Sequence, residues 1–472
     1  MAKAQPAELA KELMEAWPAY KAAGMDYQYL APEDLYPQIR KLKKSSVFKV
    51  EETGQSVEGR PVYLVQAGQG SKRVLLWSQM HGDEPAATMA LADIFIFLQA
   101  NDRFNGLRQQ ILQQLDLYFI PMLNPDGAAV YERRNAMAID LNRDALRLAS
   151  PEAQILKQVS DSLQPAFGFN LHDQSRYYNV GNTAKSAAIS FLAPAYNYEK
   201  EVNPVRENAM KLIAELNGVL QQLIPGHVGR YNDDFEPRAF GDNIQKWGTS
   251  TILVETGSHP LDTEKQFLRK VNFVLLLKAL KSIAEESYAQ ASTEAYFAIP
   301  PNNRQLYDLV VRNVMVEIEG TNYPLDIAIR RDSFHAPDGR LTRYRSYIAD
   351  LGDLSTCFAY RELDGSGMQA VPGKIYEQAY QQSDEAEQVP AEKVLGSGST
   401  FVRTAQADRS LGYTTAPFNL VTGGKKPDSS IETGNHANFV LYKDGEPVYA
   451  VVNGYLVNMQ HISETEGNRL VY

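Results

Sequence analysis

The chain has 472 residues, a net charge of −10, a single cysteine, and 44% hydrophobic against 22% charged residues. That is ordinary globular composition, long enough for two or three domains with a large core. The acidic balance argues against a nucleic-acid partner, which selects a basic face. Cys357 alone excludes a disulfide framework and a cysteine-rich metal site, and no apolar run reaches the ~20 residues that span a bilayer.

The N-terminal run Met1-Ala2-Lys3-Ala4-Gln5-Pro6 lacks the apolar core of a signal peptide. The expected location is therefore cytoplasmic, or secreted or periplasmic if a leader has been removed. Residues 6–22 and 32–44 have helical spacing, with acidic starts and a basic end at Lys41, Lys43 and Lys44. Phe48 to Glu52 and Pro61 to Gln66 read as strands joined by a glycine-rich turn. Val74 to Trp77 is a short apolar run that reads as a buried strand, and it breaks into a turn carrying His81 and Glu84. Ala86 to Gln99 is apolar nearly all round and predicts a buried helix. Leu115 to Pro121 predicts another strand, ending in the turn Asn124-Pro125-Asp126-Gly127.

A dense polar stretch follows, Arg133-Arg134-Asn135 and then Asp140-Leu141-Asn142-Arg143-Asp144. Taken alone it reads as a salt-bridged surface loop. Its neighbours change that reading. Phe167 to His172 is a strand ending in histidine, and Thr251 to Glu255 is a strand ending in a carboxylate. Three strands thus deliver His81 with Glu84, His172 and Glu255 at their carboxyl ends, where open α/β sheets place functional groups. Imidazole and carboxylate are both good zinc ligands, and a catalytic zinc site takes three protein ligands plus water. A lone His-x-x-Glu match is weak; its weight comes from the third ligand and the base.

As a set, Gly54-x-Ser56-x-Glu58-Gly59-Arg60, His81-x-x-Glu84, Asn124-Pro125-Asp126-Gly127, Asp140-x-Asn142-Arg143, His172 and Glu255 resemble the zinc carboxypeptidases of the carboxypeptidase A type, in a compact bacterial-like form. The resemblance covers residues 30–285. It implies an α/β fold, a mixed, mostly parallel sheet flanked by helices. It also implies one zinc ion per chain on His81, Glu84 and His172, and Glu255 as general base. Arg133, nine residues before Asn142, would stabilise the oxyanion. Asn142 and Arg143 would grip the terminal carboxylate of the substrate, Asp140 would bond the outer nitrogen of His81, and Tyr231 would close over the substrate. The implied activity is a zinc metallocarboxypeptidase, a protease that hydrolyses a C-terminal amide bond. Its partner would be a peptide or acyl amino acid with a free carboxylate, with no nucleic acid and no membrane. The alternatives are a related zinc N-deacylase acting on acylated amino acids, and a catalytically silent binding protein on the same fold.

Departures from the family pattern bear on the substrate. Ala138 stands where compact members carry glycine, and Asp144 and Arg147 could alter which carboxylate is recognised. Asp233, Asp234, Arg238 and Asp242 make a charged approach to the site. His81 lies too near the N-terminus for a pro-segment, so activation by cleavage is not expected. Of the other histidines, His259 is the one placed near the site, four residues beyond Glu255; Cys357 is expected to be buried. Gln266 to Glu285 predicts a helix that closes a catalytic domain over 1–295, and residues 298–303 read as a linker. Residues 304–472 predict a mainly β accessory domain, with a hairpin at Lys443-Asp444-Gly445 and a polar surface loop from Gln381 to Lys393. Within it, Ile431 to Gly454 resembles the small β-sandwich beside the barrel in amidohydrolases, without the metal-binding His-x-His of those enzymes.

Overall fold

Where each element starts and stops follows from the apolar runs and their caps. The structure, a computed structural model, describes residues 6–260, 262–336, 340–407, 410–423, 427–462 and 467–472. Met1 to Gln5, on which part of the leader reading rests, lie outside them. The chain divides into two compact units, Met1–Arg304 and Gln305–Tyr472.

In the N-terminal unit, α1 (Pro6–Ala16) and α2 (Pro32–Leu42) precede a hairpin of β1 (Phe48–Gln55) and β2 (Pro61–Gly68). Then come β3 (Lys72–Ser78), α3 (Ala86–Gln99), α4 (Asn105–Gln114), β4 (Leu115–Ile120), α5 (Pro125–Val130), α6 (Pro151–Leu163) and β5 (Phe167–Asp173). After β5 follow β6 (Asn179–Val180), β7 (Ile189–Leu192), α7 (Pro204–Leu223), β8 (Val228–Arg230), α8 (Phe240–Lys246), β9 (Ser250–Thr256), α9 (Gln266–Glu285), α10 (Thr293–Phe297) and β10 (Asn302–Asn303). The main sheet has the order β1-β2-β4-β3-β5-β9-β7-β8. Its centre, β4-β3-β5-β9, is parallel, while β1/β2, β2/β4 and β7/β9 are antiparallel. This is the mixed α/β sheet flanked by helices that the sequence led us to expect.

The central strands are covered on both faces, as parallel strands require. Val74 and Leu76 join one apolar cluster with α3, α7 and α9, whereas Leu75 and Trp77 join a second with α6 and α8. That alternation is the two-residue pleat of β3. Phe167, Phe169 and Leu171 face the first cluster, so His172 leaves β5 on the opposite face. The chain passes from β3 to β4 on one side and returns to β5 on the other, which opens a crevice at their carboxyl ends.

The stretch read as a linker, 298–303, is part of this unit. Asn302–Asn303 pairs antiparallel with Asn179–Val180, Pro301 bridges to Arg230, and Ile299 is buried. The C-terminal unit contains β11 (Leu306–Ile318), β12 (Thr321–His335), β13 (Thr342–Gly352), β14 (Phe358–Asp364), β15 (Gln369–Pro372), β16 (Lys374–Gln382), β17 (Ser399–Gln406), β18 (Tyr413–Thr414), β19 (Asn419–Thr422), β20 (Phe439–Lys443), β21 (Glu446–Val452), β22 (Tyr455–Asn458) and β23 (Arg469–Leu470). Its larger sheet runs β13-β12-β11-β15-β20-β21-β22, with β14 also paired to β11, and β16-β17-β19 form a second sheet. The expected loop from Gln381 to Lys393 is instead two short helices, α11 (Ser383–Glu387) and α12 (Ala391–Gly396); Ala386, Val394 and Leu395 give them a buried face. Cys357 is half-buried rather than buried. No described helix is long and apolar enough to cross a membrane.

Candidate active site

At the end of β3 the backbone turns through Gln79 in the left-handed region (φ 48°), which lifts Met80 and His81 out of the sheet. Gly82 is required next. A Cβ there would lie 2.0 Å from the carbonyl carbon of Gly127, so only glycine lets this turn pack against α5. Asn124 holds the other side: its Oδ1 accepts the Gly127 N–H at 2.9 Å and caps α5, with Pro125 at the first helical position. The Gly54 to Arg60 motif braces the same turn, since Asp126 accepts from Ser56 Oγ at 2.7 Å, Glu58 N–H at 2.9 Å and Arg60 Nη1 at 2.7 Å.

This scaffold brings His81, Glu84 and His172 together, all buried, with one donor atom from each within 4.8 Å of the others. Glu84 Oε1 lies 2.8 Å from His81 Nδ1 and Oε2 lies 2.7 Å from His172 Nδ1. The two Nδ1 atoms are 3.1 Å apart. Asp140 Oδ1 accepts from His81 Nε2 at 3.0 Å, which turns Nδ1 towards the cluster. Burial opposes charge on both carboxylates, yet the two imidazoles hold Glu84 well below the usual carboxylate range. His81 and Arg133 likewise hold Asp140 down. Burial lowers His81 too, but Glu84 and Asp140 outweigh it and raise the imidazole to about 9; in His172 burial wins and lowers it. Among the described residues this is the group of three that could hold a metal ion. Two imidazoles and a carboxylate are a zinc donor set.

Arg133 lies against the cluster. Its Nη1 donates to Glu84 Oε1 at 3.1 Å and its Nε to Asp140 Oδ2 at 3.1 Å. The loop that presents it is pinned two residues later by Asn135, whose Oδ1 accepts from Met137 and Ile139 N–H and whose Nδ2 donates to buried Glu152 at 3.1 Å. Glu255 stands beside His172 in register across β5 and β9. Its carboxylate has no hydrogen bond or ion pair among the described residues. Burial, then the charge of Glu84, pushes its pKa well up. Asn142 Oδ1 accepts the Phe240 N–H at 2.9 Å, which ties the 140–144 turn to α8. Arg143 donates from Nη1 to the Asn142 carbonyl at 2.7 Å and is partly exposed. Tyr231, just after β8, is half-buried with its ring 6.0 Å from that of Tyr178; burial, then the Glu255 charge, raises its phenol.

Residues 36–147 match the family described as zinc carboxypeptidase. Carboxypeptidase SOL1 of Arabidopsis thaliana is 28% identical over 124 residues, 25% of each chain. Carboxypeptidase 2 of Trichophyton rubrum is 28% identical over 194 residues, 38% of this chain and 35% of that one. Over these residues the chain is similar to zinc carboxypeptidases. It spans about a quarter to a third of the length of these two relatives. A solved metallo-carboxypeptidase from Burkholderia cenocepacia is 16% identical, covering 55% of this chain and 70% of that one with a TM-score of 0.45. The family match contains His81, Glu84, Arg133, Asp140, Asn142 and Arg143; His172, Tyr231 and Glu255 lie beyond it.

Some expectations need correction. Asp144 is taken up within the fold: its carboxylate is buried and accepts from Ala149 N–H, Ser150 N–H and Ser150 Oγ at 2.8–2.9 Å, anchoring the start of α6. Asp233 is paired with Arg206 (2.9 Å) and Lys200 (3.2 Å). His259 packs its ring on Phe267 and His227, apart from the cluster. Sequence reasoning missed Asp173. Its N–H donates to Glu84 Oε2 at 3.1 Å, while its carboxylate accepts from Lys265 Nζ at 3.0 Å. Burial, opposed by Lys265, pushes that carboxyl up to about 6. Its place directly after His172 is the signal that could have found it.

Proposed function

We propose that the N-terminal unit is a zinc-dependent metallocarboxypeptidase that hydrolyses a C-terminal amide bond. The observation that carries this reading is the in-register pair of His172 and Glu255 beside His81 and Glu84, three metal donors with a separate, unpaired carboxylate. His81, Glu84 and His172 would hold the zinc, one ion per chain. Bound there, zinc supplies a Lewis acid that polarises a carbonyl and lowers the pKa of water towards 7.

The protein's own groups supply the rest. Glu255 takes the proton of the attacking water and delivers it to the leaving nitrogen. A carboxyl held above its ordinary range by burial suits both halves of that transfer. Arg133 offers a fixed guanidinium beside the donors for charge that develops on the scissile oxygen. Arg143, whose fork matches a carboxylate, and the free Nδ2 end of Asn142 bind the substrate's terminal carboxylate. Tyr231, kept protonated, is a donor that closes over the bound residue. The C-terminal unit is an accessory domain in this reading. Metal analysis tests the ligand set. One zinc per wild-type chain and a large loss in His172→Ala are expected; full retention by the variant contradicts the assignment.

A further inference from the structure

Glu236 is shared between two arginines. Its Oε2 lies 3.3 Å from Arg143 Nε and 2.9 Å from Arg238 Nη2. Its Oε1 accepts from Arg238 Nε at 3.0 Å and from the Arg238 N–H at 3.1 Å. Three hydrogen bonds therefore tie Glu236 to Arg238, while the contact with Arg143 is longer than any of them. The spacing is built into the backbone. Ala145 N–H donates to the Arg238 carbonyl at 3.1 Å, Phe240 N–H donates to Asn142 Oδ1 at 2.9 Å, and Glu236 N–H donates to Asp242 Oδ1 at 3.0 Å. The loop carrying Glu236 is thus stitched to the turn carrying Arg143, and only the side chains, both partly exposed, are free to rearrange.

The charges point the same way. Two guanidiniums and one carboxylate leave one positive charge uncompensated, and the Asp242 carboxyl behind them, pushed up to about 7 by burial, adds only part of a charge at neutral pH. One incoming carboxylate balances the group. We propose that Glu236 is the carboxylate Arg143 carries until a free-acid terminus arrives, and that the terminus displaces Glu236 from Arg143 onto Arg238. Displacement is easy because a partly exposed ion pair is weak and Arg238 keeps all three of its bonds. Glu236 then acts through Arg143 as a positioning residue. It moderates affinity for the carboxylate, so that a cleaved terminal residue can leave. This rests on Arg143 as the carboxylate site.

The two neighbours of Arg143 should act in opposite directions, which a merely structural role would not produce. Titration calorimetry of the full chain with N-acetylphenylalanine, N-acetylalanine and their C-terminal amides reads this directly. Glu236→Gln should bind the acids about two- to fivefold more tightly, the range of an exposed pair. Arg238→Ala, which leaves Glu236 to Arg143 alone, should bind them more weakly by a similar factor. Amide binding should not change in either. Unchanged or weaker acid binding in Glu236→Gln overturns the proposal, as does the absence of acid binding in wild type and Glu236→Gln alike. Arg143→Ala separates the two claims. If it keeps the preference for acid over amide, the carboxylate site itself is misplaced; if it loses it while Glu236→Gln changes nothing, only the role of Glu236 fails.

Discussion

His172 and Glu255 face each other as direct partners on adjacent parallel strands, β5 and β9. Residues in register across a parallel pair leave the same face of the sheet, so one donor and one unpaired carboxylate emerge side by side. The pairing separates their roles. His172 is held by Glu84 at 2.7 Å, whereas Glu255 has no such partner. An unpaired buried carboxylate is costly, and proton transfer is the role we propose for it.

Glu255→Gln keeps the shape and removes the basicity. Zinc content should be unchanged, while turnover of the best peptide should fall by at least ~10²-fold, the low end for general acid–base catalysis. Turnover within a few-fold of wild type would place the base elsewhere.

Asp140 bonds both His81 Nε2 and Arg133. Asp140→Asn should weaken zinc binding about 10- to 100-fold, the usual cost of losing a carboxylate behind a histidine ligand. Competition with a chelator at fixed pH measures it, and wild-type affinity would show that His81 is oriented by something else.

Ala138 adopts φ 57°, in the left-handed region that glycine enters freely. The departure noticed in the sequence is therefore a strained position in the loop that presents Arg133. Ala138→Gly should stabilise the N-terminal unit by about 1 kcal/mol, the low end of the cost of a non-glycine residue in that region, read as a higher denaturation midpoint. A lower midpoint would mean that the methyl group packs usefully.

Asp242 gives a pH dependence. Burial raises its carboxyl in the folded chain to about 7, against about 3.9 when unfolded. The folded state thus holds the proton more tightly. Its contribution is fully present below about pH 4 and is lost as pH rises through about 7. A shift of roughly three units corresponds to about 4 kcal/mol as an upper bound. Asp242→Asn should flatten the fall in stability between pH 4 and 7; an unchanged slope would show that Asp242 is ionised throughout.

Much of the candidate site's geometry was legible because its potential donors end apolar strands. His172 and Glu255 each close a run whose neighbours are buried, and β9 is buried along its whole length. The helix 86–99 was equally plain, being apolar on nearly every side, and 266–285 carries a long apolar run through its middle. Residues whose role depends on two loops meeting were not legible. Asp144 reads as a ligand-facing charge until α6 folds back onto it. Glu236 carries no motif; it matters because hydrogen bonds bring two segments almost a hundred residues apart within reach. The stretch 298–303 looks like a linker because prolines and asparagines cluster there, yet its asparagines pair with β6.

The most direct test of the whole account is the mass of the products released when the zinc-loaded chain is incubated with a mixed peptide library. The account predicts peptides shortened by one C-terminal residue, produced by wild type and not by Glu255→Gln. Release of acyl groups from N-acyl amino acids without any shortening of peptides, or no product at all from the zinc-loaded wild type, would contradict it.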